Sequence, residues 1–289
     1  MATSTPATKW WSKDTVAVIT GANQGIGYEI ARQLAQNGLT VVATARSEER
    51  GKAAVEALRK ELGTEAQELV AFHLLDVTSD ESVAALAQWL RQTYGGVDIL
   101  VNNAAISRAE TEEKIFDTNY YGVKRVTKAI LPLLRPSPAG ARVINVTSDL
   151  GVLKRLSNKY RDEWKDRDQI TEDQIDHFIQ QYLGELKDGT WKSGGWQDMI
   201  RDYSNTKVAL NAYTSVLARE VRPETEKVYV NCFNPGFTKT NLNDYQGLST
   251  LQANTLQEAA MTGIWLALHP VGGPHGKYLE QKNWGIAEW

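Results

Sequence analysis

Tyr203 and Lys207, in the stretch Y-S-N-T-K, set a phenol and an ammonium four residues apart, one turn along the same face of a helix. Such a pair can do proton chemistry. A free phenol titrates near about 10, too high to exchange protons easily at neutral pH, and a neighbouring cation stabilises its phenolate. Tyr120 and Lys124, in Y-Y-G-V-K, repeat the spacing, so spacing alone does not choose between the two pairs. A second set is glycine-rich. The stretch T-G-A-N-Q-G-I-G places Gly21, Gly25 and Gly27 between an apolar run and the helical pattern Y-E-I-A-R-Q-L-A. Glycine allows positive φ and close backbone approach, so the amides around Asn23, Gln24, Gly25 and Ile26 can meet a pyrophosphate at the helix start.

The elements that must position these groups alternate along the chain. Short β-branched runs occur at Val16–Thr20, Thr40–Ala45, Glu68–Leu75, Ile99–Asn102, Arg142–Thr147 and Val228–Phe233. They are apolar almost throughout, which suits strands covered on both faces, and the helical segments between them make the sheet parallel. The expected fold is α/β, a single Rossmann-type doubly wound sheet spanning 1–289. Helix starts carry capping signals, as in Thr78 with Glu81 and Thr171 with Gln174. Residues 1–14 read as a loose lead-in. From 154 to 200 the rhythm breaks, and Ile175, Phe178, Ile179, Tyr182, Leu183 and Leu186 mark an amphipathic helix within a helical insertion or lid.

Composition limits the partners. A net charge of -3 with no basic cluster leaves no electrostatic footprint for nucleic acid or an anionic membrane. A small molecule is the expected partner. A single cysteine, Cys232, excludes an intramolecular disulfide, and no long apolar run appears, which points to a reducing, cytoplasmic setting. Cys232 is expected to pack within the sixth strand. At the end of the second strand an NAD site usually places Asp or Glu, but T-A-R-S carries Arg46 there. A guanidinium at this point pairs with a 2′-phosphate, so NADP(H) is the expected cofactor.

The order of motifs resembles the short-chain dehydrogenase/reductase family over nearly the whole chain. The matching pieces are T-G-A-N-Q-G-I-G, Asp76 in L-L-D-V-T, N-N-A-A at Asn102–Ala105, T-N-Y-Y-G, V-T-S, Y-S-N-T-K and N-P-G-F-T-K-T. The resemblance implies that Ser148, Tyr203 and Lys207 are catalytic with Asn119, and that Tyr120 and Lys124 are structural. Tyr203 would donate the proton and Ser148 would hydrogen-bond the substrate oxygen. Lys207 would lower the phenol's pKa and bind the nicotinamide ribose, while Asn119 would hold a water in a relay to Lys207. It further implies that Asp76 and Val77 flank the adenine, that Asn102 and Ala104 line the adenosine side, and that Pro235, Gly236 and Thr238 hold the nicotinamide end.

The long stretch between Ser148 and Tyr203 is similar to the carbonyl reductase branch and to plant reductases of the menthone and salutaridine type. That likeness implies a monomer, because the extra helix covers the face other members use for tetramers. It also implies NADPH-dependent reduction of a bulky apolar ketone or aldehyde, with Trp191, Trp196 and 240–247 as candidate pocket walls. The chain departs from the family pattern at Ala105, where Gly is usual, and at Gln24, where many NADP-preferring members carry Lys or Arg. Reduction of an enone C=C bond and a non-catalytic NADP(H)-binding sensor remain alternative readings.

Overall fold

A computed structural model describes residues 9–64, 67–136, 139–156, 158–196, 200–240, 242, 253–280 and 285–289. The apolar runs become strands because each can be covered on both faces: β1 (Val16–Ile19), β2 (Thr40–Ala45), β3 (Val70–Leu74), β4 (Ile99–Asn102), β5 (Ala141–Val146) and β6 (Val228–Asn234). β1, β4, β5 and β6 are buried at every position. Two further strands, β7 (Lys277–Glu280) and β8 (Gly285–Ala287), were not expected from the sequence. The sheet order is β3-β2-β1-β4-β5-β6-β7-β8, parallel except for the last pair. β1 pairs with both β2 and β4, so the chain reverses its winding there and leaves a crevice at the carboxyl ends of these strands.

The helices are α1 (Gly25–Gln36), α2 (Glu48–Leu62), α3 (Asp80–Tyr94), α4 (Glu112–Phe116), α5 (Gly122–Ile130), α6 (Asn158–Glu163), α7 (Glu172–Lys187), α8 (Arg201–Glu220) and α9 (Leu256–Leu268). A turn of wider π-helix at Asp117–Tyr121 joins α4 to α5. Thr171 and Gln174 form the expected capping box of α7. For α3 the cap is one residue later than expected: Ser79 accepts from the Ser82 amide, because the Thr78 hydroxyl is given to Asp76. Residues 10 and 11, expected within the loose lead-in, are packed. Trp10 donates its indole N–H to Leu268 O at 3.2 Å, and Trp11 to Asn37 O at 3.2 Å. Trp10 also covers the Arg142 guanidinium, so this segment is tied to the folded chain.

The insertion extends the core on one side of the sheet with a group of aromatic rings. Trp196 packs with ring centroids 4.6 Å from Tyr160, 5.1 Å from Phe178 and 4.8 Å from Tyr182, and is 7% exposed. It is therefore not a pocket wall, contrary to expectation. Trp191 instead stacks on the Arg201 guanidinium at 3.9 Å. The remainder of the expected wall, 241 and 243–247, lies outside the described residues.

Lys124 attaches this insertion to the sheet layer. Its Nζ lies 2.9 Å from Glu172 and 3.3 Å from Asp176 of α7, and above the ring of buried Tyr120. The second tyrosine–lysine pair is thus a structural one. Burial pushes the Glu172 carboxyl up, but its bonds to Lys124 and Lys128 outweigh this and hold it below the usual carboxylate range. A carboxyl lowered in the folded state stabilises above its unfolded pKa, and that stability is lost as the pH falls through the folded value. We expect Lys124→Met to lose about 1–3 kcal/mol at pH 7 by urea unfolding. The deficit should shrink as the pH drops below about 4; a pH-independent deficit would count against the ion pair as its source.

Candidate active site

The phosphate turn leaves β1 through Thr20 and is pinned from the far side of the crevice. Thr20 Oγ1 accepts the amides of Asn103 and Ala104, both at 2.9 Å. Asn103 Nδ2 returns two bonds, to Thr20 O at 2.9 Å and Gly21 O at 3.1 Å. This close meeting requires glycine. Gly21 has φ +65°, and a Cβ there would stand 2.9 Å from Ala104 Cα; at Gly27 it would stand 2.3 Å from Asn103 Nδ2. Whereas α2, α3, α7 and α9 begin on a Ser or Thr side-chain cap with acidic first turns, α1 has neither. Among the described residues no side chain caps its first amides, and such amides suit an anionic acceptor.

A cavity of about 1060 Å³ opens at this turn. Its lining includes Gly21, Asn23, Gln24, Gly25 and Ile26 on one side, Arg46, Ser47 and Arg50 beyond β2, and Asp76 and Val77 beyond β3. Asp76 Oδ1 accepts from the Thr78 amide at 2.9 Å and its hydroxyl at 2.7 Å, so the carboxylate is held in a turn. Ala104 also borders the cavity. These features suit a dinucleotide: glycine for close approach, uncapped amides for a pyrophosphate, and cations beside the second strand.

Asn102 behaves differently from expectation. Successive side chains at a strand end point to opposite faces, so Asn103 faces the cavity while Asn102 is buried behind it. Asn102 Nδ2 donates to Thr127 Oγ1 at 3.0 Å and to Asn145 Oδ1 at 2.9 Å. Pro235, Gly236 and Thr238 are likewise absent from the lining, which is formed there by Lys239 and Thr240. Thr238 is buried and donates its hydroxyl to Gly236 O at 3.1 Å, because Gly236, at φ +73°, turns that carbonyl toward it.

Tyr203 and Lys207 lie on α8, which packs against the end of β5. Lys207, 3% exposed, donates from Nζ to Val146 O at 2.9 Å and lies 5.4 Å from the centre of the Tyr203 ring. Tyr203 is 7% exposed. Burial pulls the Lys207 ammonium down to about 7, with the Cys232 thiol opposing weakly; burial in turn pushes that thiol up to about 12. Cys232 packs inside β6 as expected.

Ser148 follows β5 by two residues, on a tight turn clamped to α8. Gly151 makes the clamp feasible, since a Cβ there would stand 2.7 Å from the backbone carbon of Lys207, and Gly151 O accepts Asn211 Nδ2 at 2.9 Å. Ser148 Oγ accepts from the Leu150 amide at 3.2 Å and donates to Asp149 Oδ1 at 3.3 Å. Asn119 is fully buried, and its side chain is occupied: Oδ1 accepts the Ile106 amide at 2.8 Å, while Nδ2 donates to Ile106 O at 2.8 Å and Thr206 Oγ1 at 3.1 Å. Both N–H donors of its side-chain amide are thus engaged. The side chain ties the loop after β4 to α8, and Thr206 extends the tie by donating to Tyr203 O at 2.6 Å.

Ser148, Tyr203 and Lys207 do not border the cavity; Ile106, held at both backbone atoms by Asn119, does. Three residues of this architecture escaped sequence reading. Asn103 could have been found from strand alternation, and Arg50 from its place one helical turn beyond Arg46. Gly151 carries no local signal, because its role depends on the approach of a distant helix.

The family described as short chain dehydrogenase matches residues 15–159. A (+)-neomenthol dehydrogenase from Arabidopsis thaliana is 39% identical over 295 residues, covering 92% of this chain and 96% of that protein. "Carbonyl reductase [NADPH] 1" from Bos taurus is 33% identical over 293 residues, covering 96% of this chain and 99% of the relative. The structure of salutaridine reductase from Papaver somniferum superposes with a TM-score of 0.81 at 34% identity, covering 91% of this chain and 99% of that one. With the glycine turn, the doubly wound sheet and the tyrosine–lysine helix in the same order, the chain belongs to the short-chain dehydrogenase/reductase family of oxidoreductases, which bind a nicotinamide cofactor.

Proposed function

We propose that the protein is an NADPH-dependent carbonyl reductase that acts on a bulky apolar ketone or aldehyde, with Tyr203 as proton donor. The observation that carries this reading is the state of Lys207. Its ammonium is buried beside the Tyr203 ring, and its partner is a carbonyl rather than a carboxylate. Its positive charge is therefore not neutralised, and it acts on whatever negative charge develops nearby.

The amides at the start of α1 would hold the pyrophosphate, and Arg46 with Arg50 would pair with the 2′-phosphate. When bound, reduced nicotinamide supplies the hydride that reaches the carbonyl carbon. Tyr203 gives its phenolic proton to the carbonyl oxygen, and Lys207 stabilises the phenolate that remains until solvent returns a proton. Asn119 sets the first turn of α8 through Thr206. Ser148 contributes a hydroxyl to the same oxygen once its proton turns from Asp149. That contact with Asp149 favours one second reading, reduction of an enone at carbon, in which a donor to oxygen matters less; product analysis with an enone separates the two. Because α7 packs along α8, we read the chain as a monomer, and light scattering showing a tetramer at micromolar concentration would contradict this.

The test is NADPH oxidation across a panel of cyclic ketones and aldehydes, repeated with NADH. Turnover with NADPH preferred is expected, whereas tight NADPH binding with no turnover on any substrate would favour a sensor. Tyr203→Phe should lower kcat by about a thousandfold while NADPH affinity stays within about twofold; retained turnover refutes the proton-donor role. The pH profile follows from Lys207, whose depressed value means that it is charged below about 7. Reduction needs the charged form, so kcat/KM should fall as the pH rises through that value. A profile flat from pH 6 to about 9 would contradict this assignment.

A further inference from the structure

The catalytic helix begins on a residue whose side chain cannot cap it. Its N-cap residue, Ile200, has φ +49° and offers no side-chain hydrogen bond. A β-branched residue is unfavourable there, so contacts that reach the first turn from other elements bear on its geometry. Besides the Asn119–Thr206 tie, two such contacts come from the insertion. Tyr182 of α7, fully buried, donates its hydroxyl to Asp202 Oδ1, one residue before Tyr203. The Trp191 ring stacks on Arg201, one residue earlier again.

Tyr182 is itself rigidly placed. Its ring packs against Phe116 at 5.7 Å and Trp196 at 4.8 Å, and Lys124 fixes the start of α7 through Glu172 and Asp176. Burial, followed by the bond to Asp202, pushes the Tyr182 phenol far above its ordinary value, so it remains a protonated donor. Asp202 in the first turn also complements the helix dipole.

We infer that Tyr182 is a positioning residue for the reaction: through its hydrogen bond to Asp202 it sets the first turn of α8 and so the place of the Tyr203 phenol relative to Lys207 and Ser148. The inference rests on the proposed role of Tyr203. It assigns the insertion a part in catalysis beyond covering a surface, because the turn it holds carries the proton donor.

The experiment uses the full chain with NADPH and whichever ketone of the panel turns over best. Tyr182→Phe keeps the ring and its packing but removes the donor, and Asp202→Ala removes the acceptor. Each should lower kcat by about tenfold, since a displacement well under 1 Å suffices for such a loss. Rates are counted per NADPH-binding site, well below the melting temperature, so that unfolded protein does not enter. NADPH affinity should stay within about twofold, because the cofactor turn is untouched. The double variant should be no slower than the slower single one. In Tyr182→Phe the alkaline fall of the pH profile should also shift, because the phenol's distance from Lys207 changes. A kcat within twofold of the parent in Tyr182→Phe, or losses that multiply in the double variant, overturns the inference. Tyr203→Phe is run alongside. If it still turns over, the proton-donor reading itself fails; if it is dead while Tyr182→Phe is unimpaired, only the positioning role fails.

Discussion

An ammonium buried against a single backbone carbonyl is the constraint around which the rest of this structure is arranged. Removing such a charge from water costs on the order of several kcal/mol, and a neutral carbonyl returns only part of that. Lys207 accepts this position because it is anchored in α8, a helix buried along most of its length, which presses its side chain onto the end of β5. The strained protonation equilibrium that results is the useful property. A lysine paired with a carboxylate would be comfortable and chemically inert. Lys207 at about 7 responds to any negative charge that forms beside it.

The contacts around Lys207 share one purpose, which is to bring three chain segments to α8 without slack. Val146 O receives the ammonium and Gly151 O receives Asn211, so the turn carrying Ser148 is bonded at both ends. Asn119 bonds both backbone atoms of Ile106 and then Thr206, joining the loop after β4 to the same helix. Ile106 in turn borders the cavity beside the phosphate turn. The cavity at the glycine turn and the tyrosine–lysine helix are therefore linked by hydrogen bonds between strand ends, where loops from different crossovers meet.

How much of this was legible in the sequence depended on how local the cause was. β1 to β6 and the α7 cap could be read because β-branched runs and capping boxes act over a few residues. β7 could not: Lys277 and Glu280 are exposed around two buried residues, and it is a strand because β6 offers it an edge. β8 is three residues paired antiparallel at that edge. The site residues divide in the same way. Gly21, Gly25, Arg46, Asp76 and Ala104 line the cavity as their motifs suggested. Asn102 and Trp196 do not, since which face a strand-end amide takes, and which distant rings an indole finds, are settled by tertiary packing.

The two tyrosine–lysine pairs show why composition at a fixed spacing cannot decide chemistry. Lys124 and Lys207 each lie four residues after a tyrosine, on helices, with the ammonium near the ring. Lys124 meets two carboxylates of α7, which neutralise it and convert its charge into adhesion between the insertion and α5. Lys207 meets a carbonyl, and its charge is left over. The first pair's neutralisation brings α7 against the helix that carries the second, where Tyr182 reaches Asp202. One lysine is thus spent on structure so that the surroundings of the other stay fixed, and the difference between them lies wholly in what each ammonium finds at its tip.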